Sequence, residues 1–316
     1  MIRSLRFGCA LLALGLAIIA TPTSTADPRY SEWETPLNLG DVVNSAFQEI
    51  GPAISGDGLS LYFGSDRPDG FGNFDLWVSQ RPTVNDPWGA PINLGGIVNT
   101  TAIDNVPALS RDGHWLFFNS DRLGGLGGID IWVAWRSHTH DDLAWQSPVN
   151  LGSVVNSESF DAGAGYYKDD DLGRAFLFFN SDRPGGPGAT DLYVSEVFGD
   201  GEFEPPRLIA ELSGPACEQR PTVRHDGQEL FFFSTRTGGV GQLDLWVSIR
   251  TDAAATWAPP VNLGPIVNSV ANDSTPCISW DRETLFFSSN RSGAIGGHDL
   301  YATTRTKAVR PRVTGG

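Results

Sequence analysis

The stretch from Ser120 to Trp132 reads SDRLGGLGGIDIW, and copies of it recur along the whole chain. An S-D-R triplet, a run of glycines and a D-L/I-W/Y triplet also span Ser65 to Trp77 and Ser181 to Tyr193, and altered copies span Ser234 to Trp246 and Ser289 to Tyr301. An aromatic residue opens each unit, and successive openers lie 55, 57, 58 and 54 positions apart. The openers are Trp33, Trp88, Trp145, Phe203 and Trp257. Self-similarity at this spacing is typical of a repeat architecture in which each copy packs against its neighbours.

The second copy predicts how one unit folds. Asn105 to Ser110 forms a short strand, and Arg111 to Gly113 supplies the tight turn that Asp-Gly sequences favour. His114 to Ser120 is rich in aromatic residues with little alternation, as expected for a strand covered on both faces. The glycine-rich loop leads to a third strand, Asp130 to Trp135, and a fourth spans Ala144 to Leu151. Each unit is therefore predicted to be a four-stranded antiparallel meander.

The order of the strands follows from proline. A proline occurs in the fourth strand of every unit, which places that strand at the sheet edge because proline cannot donate to a ladder. Four-stranded sheets repeated around a channel describe a β-propeller. The last unit ends after its third strand, Leu300 to Thr304, whereas Trp33 to Leu39 is a fourth strand with no unit before it. We therefore predict an all-β, five-bladed propeller over residues 27–306, closed by the N-terminal strand.

A longer pattern carries a family resemblance. P-x-x-S-x-D-G-x-x-L/F-F-F-x-S-x-R-x-G-G followed by D-L-W/Y is clearest at Pro107 to Trp132 and extends over essentially the whole mature chain. It resembles the WD-like propeller repeat of the TolB family. The resemblance implies a propeller that binds proteins or surface ligands, and related blades occur in some polysaccharide-degrading enzymes. TolB itself resembles a six-bladed propeller with a separate N-terminal domain, so no TolB-specific partner is implied.

The N-terminal residues 1–26 predict export. Two arginines precede an apolar run from Phe7 to Ala20, and Ser24 and Ala26 offer the small side chains that a signal peptidase needs, so we expect cleavage before Asp27. Removing the segment changes the formal charge from −15 to −17, because it holds two arginines and no acids. A field of that sign repels nucleic acid and anionic lipid. We expect a periplasmic or secreted monomer with no nucleic-acid partner and no membrane insertion.

Two cysteines remain after export. Cys217 and Cys277 lie in equivalent regions of adjacent units but out of register. An oxidising compartment permits a bridge between them, whereas staggered strands would hold them too far apart, so a disulfide and two buried free thiols both stay open. The tail from Lys307 to Gly316 is basic, lacks an apolar pattern and is predicted to be disordered.

Charged residues repeat with the units. Each unit places an acid at the start of its first strand and an arginine after its second, and the meander brings both to one face, so we expect a ligand-binding ring at one mouth of the channel. The acids are Glu49, Asp104, Asp161, Glu218 and Asp273, and the arginines are Arg67, Arg122, Arg183, Arg236 and Arg291. A structural interpretation is that each acid pairs with an arginine and locks the loop, since one substrate has no use for five identical groups.

We predict from this ring an exported binding scaffold that recognises a protein or a surface or carbohydrate ligand at the channel mouth. The alternative is a carbohydrate-active hydrolase or lyase, since two carboxyl groups about 5 to 10 Å apart can cleave glycosides. Catalysis needs carboxylates in unlike environments, so Glu49, Glu218 and Asp104 are the candidates within the ring. Trp135 and Trp280 are unrepeated and are either sugar platforms or surface packing.

No cofactor is predicted. The glycine-rich loops carry enough oxygen atoms to suggest Ca²⁺, but no copy has a D-x-D-x-D-G ladder, and the last aspartate of each loop is better explained as a cap that accepts backbone N–H groups. His138 and His140, with two acids beside them, are either a transition-metal site or an exposed polar loop. No G-x-S-x-G elbow or phosphate-binding glycine loop occurs.

Overall fold

The computed structural model describes residues 27, 29–170, 173–198 and 201–308. The predicted signal peptide lies outside these residues, as do residues 309–316 of the predicted tail. Within them, twenty strands form five antiparallel sheets of four strands each. The predicted all-β, five-bladed propeller is confirmed. No helix in the described ranges is long and apolar enough to cross a membrane.

The strands follow the blades in chain order. After β1 (Leu37–Asn38), the first blade contains β2 (Glu49–Ile54), β3 (Ser60–Ser65), β4 (Asp75–Gln80) and β5 (Ile92–Asn93). The second blade contains β6 (Asp104–Leu109), β7 (Trp115–Ser120), β8 (Asp130–Trp135) and β9 (Val149–Asn150), and the one-turn helix α1 (Gly152–Val155) follows it. The third blade contains β10 (Asp161–Asp169), β11 (Arg174–Ser181), β12 (Asp191–Val197) and β13 (Arg207–Leu208).

The last two blades repeat this plan. The fourth contains β14 (Glu218–Val223), β15 (Glu229–Ser234), β16 (Asp244–Ile249) and β17 (Val261–Asn262), followed by the one-turn helix α2 (Gly264–Val267). The fifth blade takes β18 (Asp273–Ile278), β19 (Thr284–Ser289) and β20 (Asp299–Thr304) from the end of the chain and β1 from its beginning. The second strand of each blade is almost wholly buried, since neighbouring blades cover both of its faces.

The ring is closed by the N-terminal strand, as predicted. β1 pairs antiparallel with β20, with Leu37 opposite Ala302 and Asn38 opposite Tyr301. Trp33 lies under the guanidinium of Arg305, 4.5 Å from the ring centre. Equivalent stacks occur inside single blades, between Arg81 and Trp88, Arg136 and Trp145, and Arg250 and Trp257. The aromatic residue at the start of each of these units therefore packs on the arginine after the third strand.

A charged cluster supports this closure. Arg305 pairs with Glu229 of β15 at 2.5 Å, and Arg224 pairs with Glu229 at 2.7 Å and with Asp27 at 3.0 Å. All four side chains are at most 5% exposed, so the cluster joins the N-terminal segment to the last two blades. Lys307, the first residue of the predicted tail, forms a β-bridge with Tyr30.

Each inner strand bulges at its third residue. The residues there have positive φ angles between +49° and +67°, and the pairing with the next strand shifts register at the same place. They are Gly51, Val106, Gly163, Arg220 and Thr275. The approach around the axis is close, because a Cβ on Gly51 would lie 2.6 Å from the Cα of Val106. Bulges re-aim the residues that follow them, here toward the channel.

The two cysteines are free thiols. Cys217 and Cys277 are both half-buried, and Cys277 lies on β18 beside the channel. The sequence left open a disulfide or two free thiols, and the structure has two free thiols.

Trp33→Ala tests the closure. Trp33 is 9% exposed and also meets Phe231 edge-on at 6.1 Å, so removing it should cost about 3–5 kcal/mol of unfolding free energy. Trp257→Ala, at the equivalent place inside the fourth blade, should cost a similar amount in urea-unfolding experiments. Trp115→Ala, at a 38% exposed position, should cost much less. A loss at Trp33 as small as that at Trp115 would contradict the closure.

Candidate functional site

The ring predicted from the sequence consists of five ion pairs, one in each blade. The acids are the first residues of the inner strands and are 0% exposed. The N–O distances are 2.8 Å for Arg67–Glu49, 2.5 Å for Arg122–Asp104, 2.6 Å for Arg183–Asp161, 3.0 Å for Arg236–Glu218 and 2.5 Å for Arg291–Asp273. This geometry agrees with the structural interpretation. The role of these ten residues in ligand binding stays a prediction.

Each residue of the S-D-R triplet makes a distinct set of contacts, as the first blade shows. Arg67 donates to Glu49 and to the carbonyl of Val43, and its guanidinium lies over an aromatic ring. The Ser65 hydroxyl accepts from Arg67 Nε and donates to Glu49. Asp66 accepts the backbone N–H of Gln48, the residue before the acid. The triplet therefore ties the end of the second strand to the start of the first.

The middle position of the triplet needs an acceptor rather than a charge. Thr235 and Asn290 replace the aspartate in the last two blades. Thr235 Oγ1 accepts the N–H of Cys217 at 3.1 Å, and Asn290 Oδ1 accepts the N–H of Asn272 at 2.8 Å. Both substitutions keep the same bond, which explains why the altered copies still fold as blades.

Glu218 differs from the other ring acids. Four residues before each of the others, a serine or threonine donates both its backbone N–H and its hydroxyl to the carboxylate. Gly214 has only the N–H, 2.9 Å from Glu218. Burial raises the pKa of Glu218, and the hydrogen bond from Gly214 and the charge of Arg236 offset this only in part. The missing hydroxyl is the difference between Glu218 and its four equivalents.

The glycine-rich loops are held by their last aspartate. Asp75 accepts the backbone N–H groups of Phe71 and Gly72 at 2.5 and 3.0 Å and the side-chain amide of Asn93 at 2.9 Å. Among the described residues, no group of three or more His, Cys, Asp or Glu side chains is arranged to hold a metal ion. The carboxylate of Asp75 therefore has the capping contacts expected of it, and Ca²⁺ binding stays an untested prediction.

The channel is lined by residues beyond the bulges rather than by the ring acids. Its narrow part has a volume of about 50 Å³, and its walls combine apolar side chains such as Ile54, Leu109 and Ile278 with polar ones. At the end where the inner hairpins turn, which we call the hairpin face, it meets a wider cleft. His225 and Trp280 line both the channel and this cleft. Access to the channel at this end passes these two side chains.

The cleft at the hairpin face has a volume of about 330 Å³ and combines repeated turn residues with unrepeated side chains. The rings of Trp280 and His225 stack at 5.8 Å with an interplanar angle of 14°, and Arg111 lies over Trp280 at 5.7 Å. Burial lowers the pKa of His225, as does the nearby charge of Arg282, which donates to His225 Nε2 at 3.0 Å. His225 is therefore neutral at pH 7.

Two exposed carboxylates border the same cleft. Asp57 and Asp112 occupy equivalent hairpin turns of the first two blades. In each turn, Oδ1 of the aspartate accepts two hydrogen bonds. Asp57 accepts from Ser55 and Leu59. Asp112 accepts from Ser110 and His114. The hydrogen bonds of the described residues leave Oδ2 of both without a partner. Tyr166 has a raised pKa, mainly from burial and further from the charge of Asp112.

The loop that carries His138 and His140 is anchored by a buried acid. Asp142 is 5% exposed and accepts bonds from Tyr62 at 2.5 Å, Gln80 at 2.7 Å and Arg136 at 2.7 Å, and also from Ser60. The anchor brings His140 and Thr139 over the first blade, where both line the cleft. The sequence left this loop as either a metal site or an exposed polar loop, and both histidines are exposed. It gave no sign of the buried anchor, because Tyr62 lies 80 positions away from Asp142.

Comparisons with known proteins agree with this fold. No protein-family model matches the chain, and no curated protein sequence is similar to it. Among solved structures, the catalytic domain of an α-L-arabinofuranosidase of family GH62 from Coprinopsis cinerea has a TM-score of 0.59 at 14% identity, over 90% of this chain and 100% of that one. A GH43 endo-arabinanase from Bacillus licheniformis has a TM-score of 0.54 at 15% identity, over 89% of this chain and 98% of that one. A thermostable family-43 glycoside hydrolase has a TM-score of 0.59 at 12% identity, over 90% and 100%.

These likenesses correct the main functional expectation. At such identities they show the fold alone, yet the similar propellers are glycoside hydrolases and not the TolB-type propellers that the sequence pattern resembles. The prediction of a binding scaffold that recognises a protein or a surface or carbohydrate ligand at the channel mouth is wrong on this finding. The alternative, a carbohydrate-active hydrolase, is the one that the comparisons favour.

Gly214→Ser tests the cause of the raised pKa of Glu218. A Cβ at this position would lie 3.9 Å from Glu218 Oε1, so the side chain fits and its hydroxyl should donate as Ser45 does to Glu49. We expect about 1 kcal/mol of added stability at pH 7 relative to the control Gly214→Ala, or about 2 °C in Tm by calorimetry. Because the pKa of Glu218 is raised in the folded protein, the stability that Glu218 contributes is fully present at acid pH and is lost as pH rises. The benefit of the hydroxyl should therefore shrink at acid pH, and equal Tm values for the two variants at pH 7 would contradict this account.

Asp142→Asn tests the loop anchor. Although burial alone would raise the pKa of Asp142, hydrogen bonds from Ser60, Tyr62 and Arg136 hold it below its ordinary value. The substitution leaves the buried Arg136 without its counter-charge and should cost about 3 kcal/mol. Because the folded pKa is depressed, the stability that Asp142 provides is present above the ordinary pKa of an aspartate and is lost as pH falls through its folded value.

Thermal unfolding of the wild type and the variant between pH 3 and 7 measures this effect. The difference in Tm should be largest near neutral pH and should narrow in acid. Asp141→Asn, at the exposed neighbouring position, is the control and should unfold like the wild type. A constant difference across the pH range would contradict the assignment.

Proposed function

We propose that the protein is a carbohydrate-active hydrolase whose substrate binds in the cleft at the hairpin face. The observation that carries the proposal is that one cleft holds the ring of the unrepeated Trp280 beside two exposed carboxylates, Asp57 and Asp112. Function on a repeat scaffold belongs where the repetition is broken, because a single substrate presents different groups to different blades.

Hydrolysis of a glycoside needs two carboxyl groups with different tasks. One protonates the leaving oxygen, and the other activates water or attacks the sugar. Asp57 and Asp112 fit this requirement, since Oδ1 of each is held by its turn and Oδ2 is directed to no described partner. Their surroundings differ, with Tyr166 and Arg111 near Asp112 and the anchored loop near Asp57. Unlike surroundings are what separates an acid from a base.

The ring carboxylates do not suit this chemistry. Glu49, Asp104 and Glu218 were the candidates within the ring, and each is 0% exposed and paired with an arginine. A substrate that reached them would have to displace the arginine and open the blade. We therefore assign the ring to support of the blades and the cleft to catalysis.

The proposed substrate class follows from the net charge of the chain and from the solved structures of similar fold. Trp280 offers a flat apolar face of the kind on which a sugar ring packs. The chain carries a formal charge of −15, which disfavours acidic polysaccharides. Structures of similar fold include α-L-arabinofuranosidases, an endo-arabinanase and a GH62 hydrolase in complex with xylotriose. We propose a neutral plant-type polysaccharide, such as arabinan or arabinoxylan, as the substrate.

A polymeric substrate also fits the predicted location. Polysaccharides do not enter cells, so an enzyme that acts on them has to be exported. The apolar run from Phe7 to Ala20 and the small residues after it supply the export signal in this proposal. The protein would act in the periplasm or outside the cell.

Release of reducing sugar from arabinan, arabinoxylan and xylan tests the proposed activity. Asp57→Asn and Asp112→Asn should each lower turnover at least 100-fold, because each removes one of the two carboxyl groups. Asp281→Asn is the matched control, since Asp281 makes the same turn bonds in the fifth blade but does not border the cleft. Trp280→Ala should raise KM about tenfold and leave kcat closer to that of the wild type.

Two outcomes would overturn the proposal. One is a wild-type protein that degrades none of these polysaccharides. The other is an equal loss of activity in Asp57→Asn and Asp281→Asn, which would show that the aspartates act only through the turns. The Tm of each variant confirms that the blades are intact.

A further inference from the structure

The channel contains a buried cation that the proposed hydrolysis does not use. Arg220 is the third residue of β14 and is 3% exposed. Its guanidinium reaches across the channel from the fourth blade and donates to the carbonyl of Pro107 in the second blade at 2.5 Å and to the carbonyl of Ala164 in the third. The equivalent positions in the other blades are uncharged, so this arginine breaks the fivefold pattern.

The charge of Arg220 is not balanced by the protein. Within the described residues, no carboxylate pairs with Arg220, and its Nε is buried without a hydrogen-bond partner. Burial lowers its pKa to about 10, so it remains protonated at neutral pH. Burial also raises the pKa of the nearby Cys277, whose thiol is therefore neutral and supplies no counter-charge. An unpaired buried cation with an unsatisfied donor costs several kcal/mol of folding free energy.

We propose that the channel binds a small monovalent anion, such as chloride, in the space of about 50 Å³ beside the guanidinium of Arg220. The site is built: the guanidinium is held in place by two carbonyl bonds, and Thr222 lines the same space. The apolar side chains of Ala53, Ala108 and Leu109 form part of the wall and strengthen the attraction, because Coulomb interactions grow as the dielectric constant falls.

The volume of the channel limits the ligand. A space of about 50 Å³ holds a monatomic anion and little more, whereas sites for organic ligands start near 300 Å³. The wider cleft at the hairpin face gives the anion its path past Trp280 and His225. The negative formal charge of the whole chain acts at long range and is screened by salt, whereas Arg220 sets the field inside the channel.

Thermal unfolding in sodium bromide and in sodium gluconate, at equal ionic strength, tests the site. Bromide fits the channel and gluconate does not. Wild-type Tm should rise with bromide and saturate, by about 5 °C when bromide exceeds its dissociation constant 100-fold. Arg220→Gln should remove the difference between the two salts, whatever its own stability. This readout is independent of hydrolysis.

Crystals of the wild-type protein grown in bromide provide the second measurement, which does not depend on whether Arg220→Gln folds. An anomalous peak in the channel beside the guanidinium of Arg220 is expected. No peak there, an equal Tm of the wild type in both salts, or the same response in the wild type and Arg220→Gln would each overturn the proposal.

Discussion

The cluster of acid, serine and arginine at the start of each inner strand is the interaction on which the propeller depends. It joins the first strand of a blade to the end of its second strand and to the loop that arrives from the blade before, as Arg67 does by bonding both Glu49 and Val43. The desolvation of two charges offsets much of their attraction, so the cluster adds less stability than its distances suggest. Its larger effect is on specificity, because a blade in another register would leave a buried acid unpaired.

The tolerance of the cluster to substitution follows from its parts. Thr235 and Asn290 keep an acceptor in place of an aspartate and preserve the bond to the backbone. Gly214 instead removes a donor, and the result appears in the raised pKa of Glu218. The middle position of the triplet keeps its hydrogen bond when the charge is lost, whereas Gly214 leaves the carboxylate of Glu218 with one hydrogen bond fewer.

Much of the fold could be predicted from the sequence, and much of the site could not. Proline placement, Asp-Gly turns and the orphan strand at Trp33 to Leu39 are local signals, and they give the blade count, strand order and closure correctly. The anchor of Asp142 on Tyr62 and the reach of Arg220 to Pro107 join residues far apart in sequence, and no periodic pattern marks them. Repetition marked the ten ring residues, whose five equal and buried ion pairs favour structural support, and their role in ligand binding stays a prediction. The resemblance to TolB-type repeats identified the architecture but not the activity, as expected when one fold hosts many functions.

The pairing of β1 with β20 also determines the stage of folding at which the propeller can be completed. β1 lies at the beginning of the described chain, and its partner β20 lies at the end, so Leu37 and Ala302 can pair only after all five units exist. Each inner meander is local and can form early, whereas the last sheet has to bring the two ends together against the entropy of the loop between them. The contacts of Trp33 with Arg305 and of Asp27 with Arg224 lie at this junction and offset that cost.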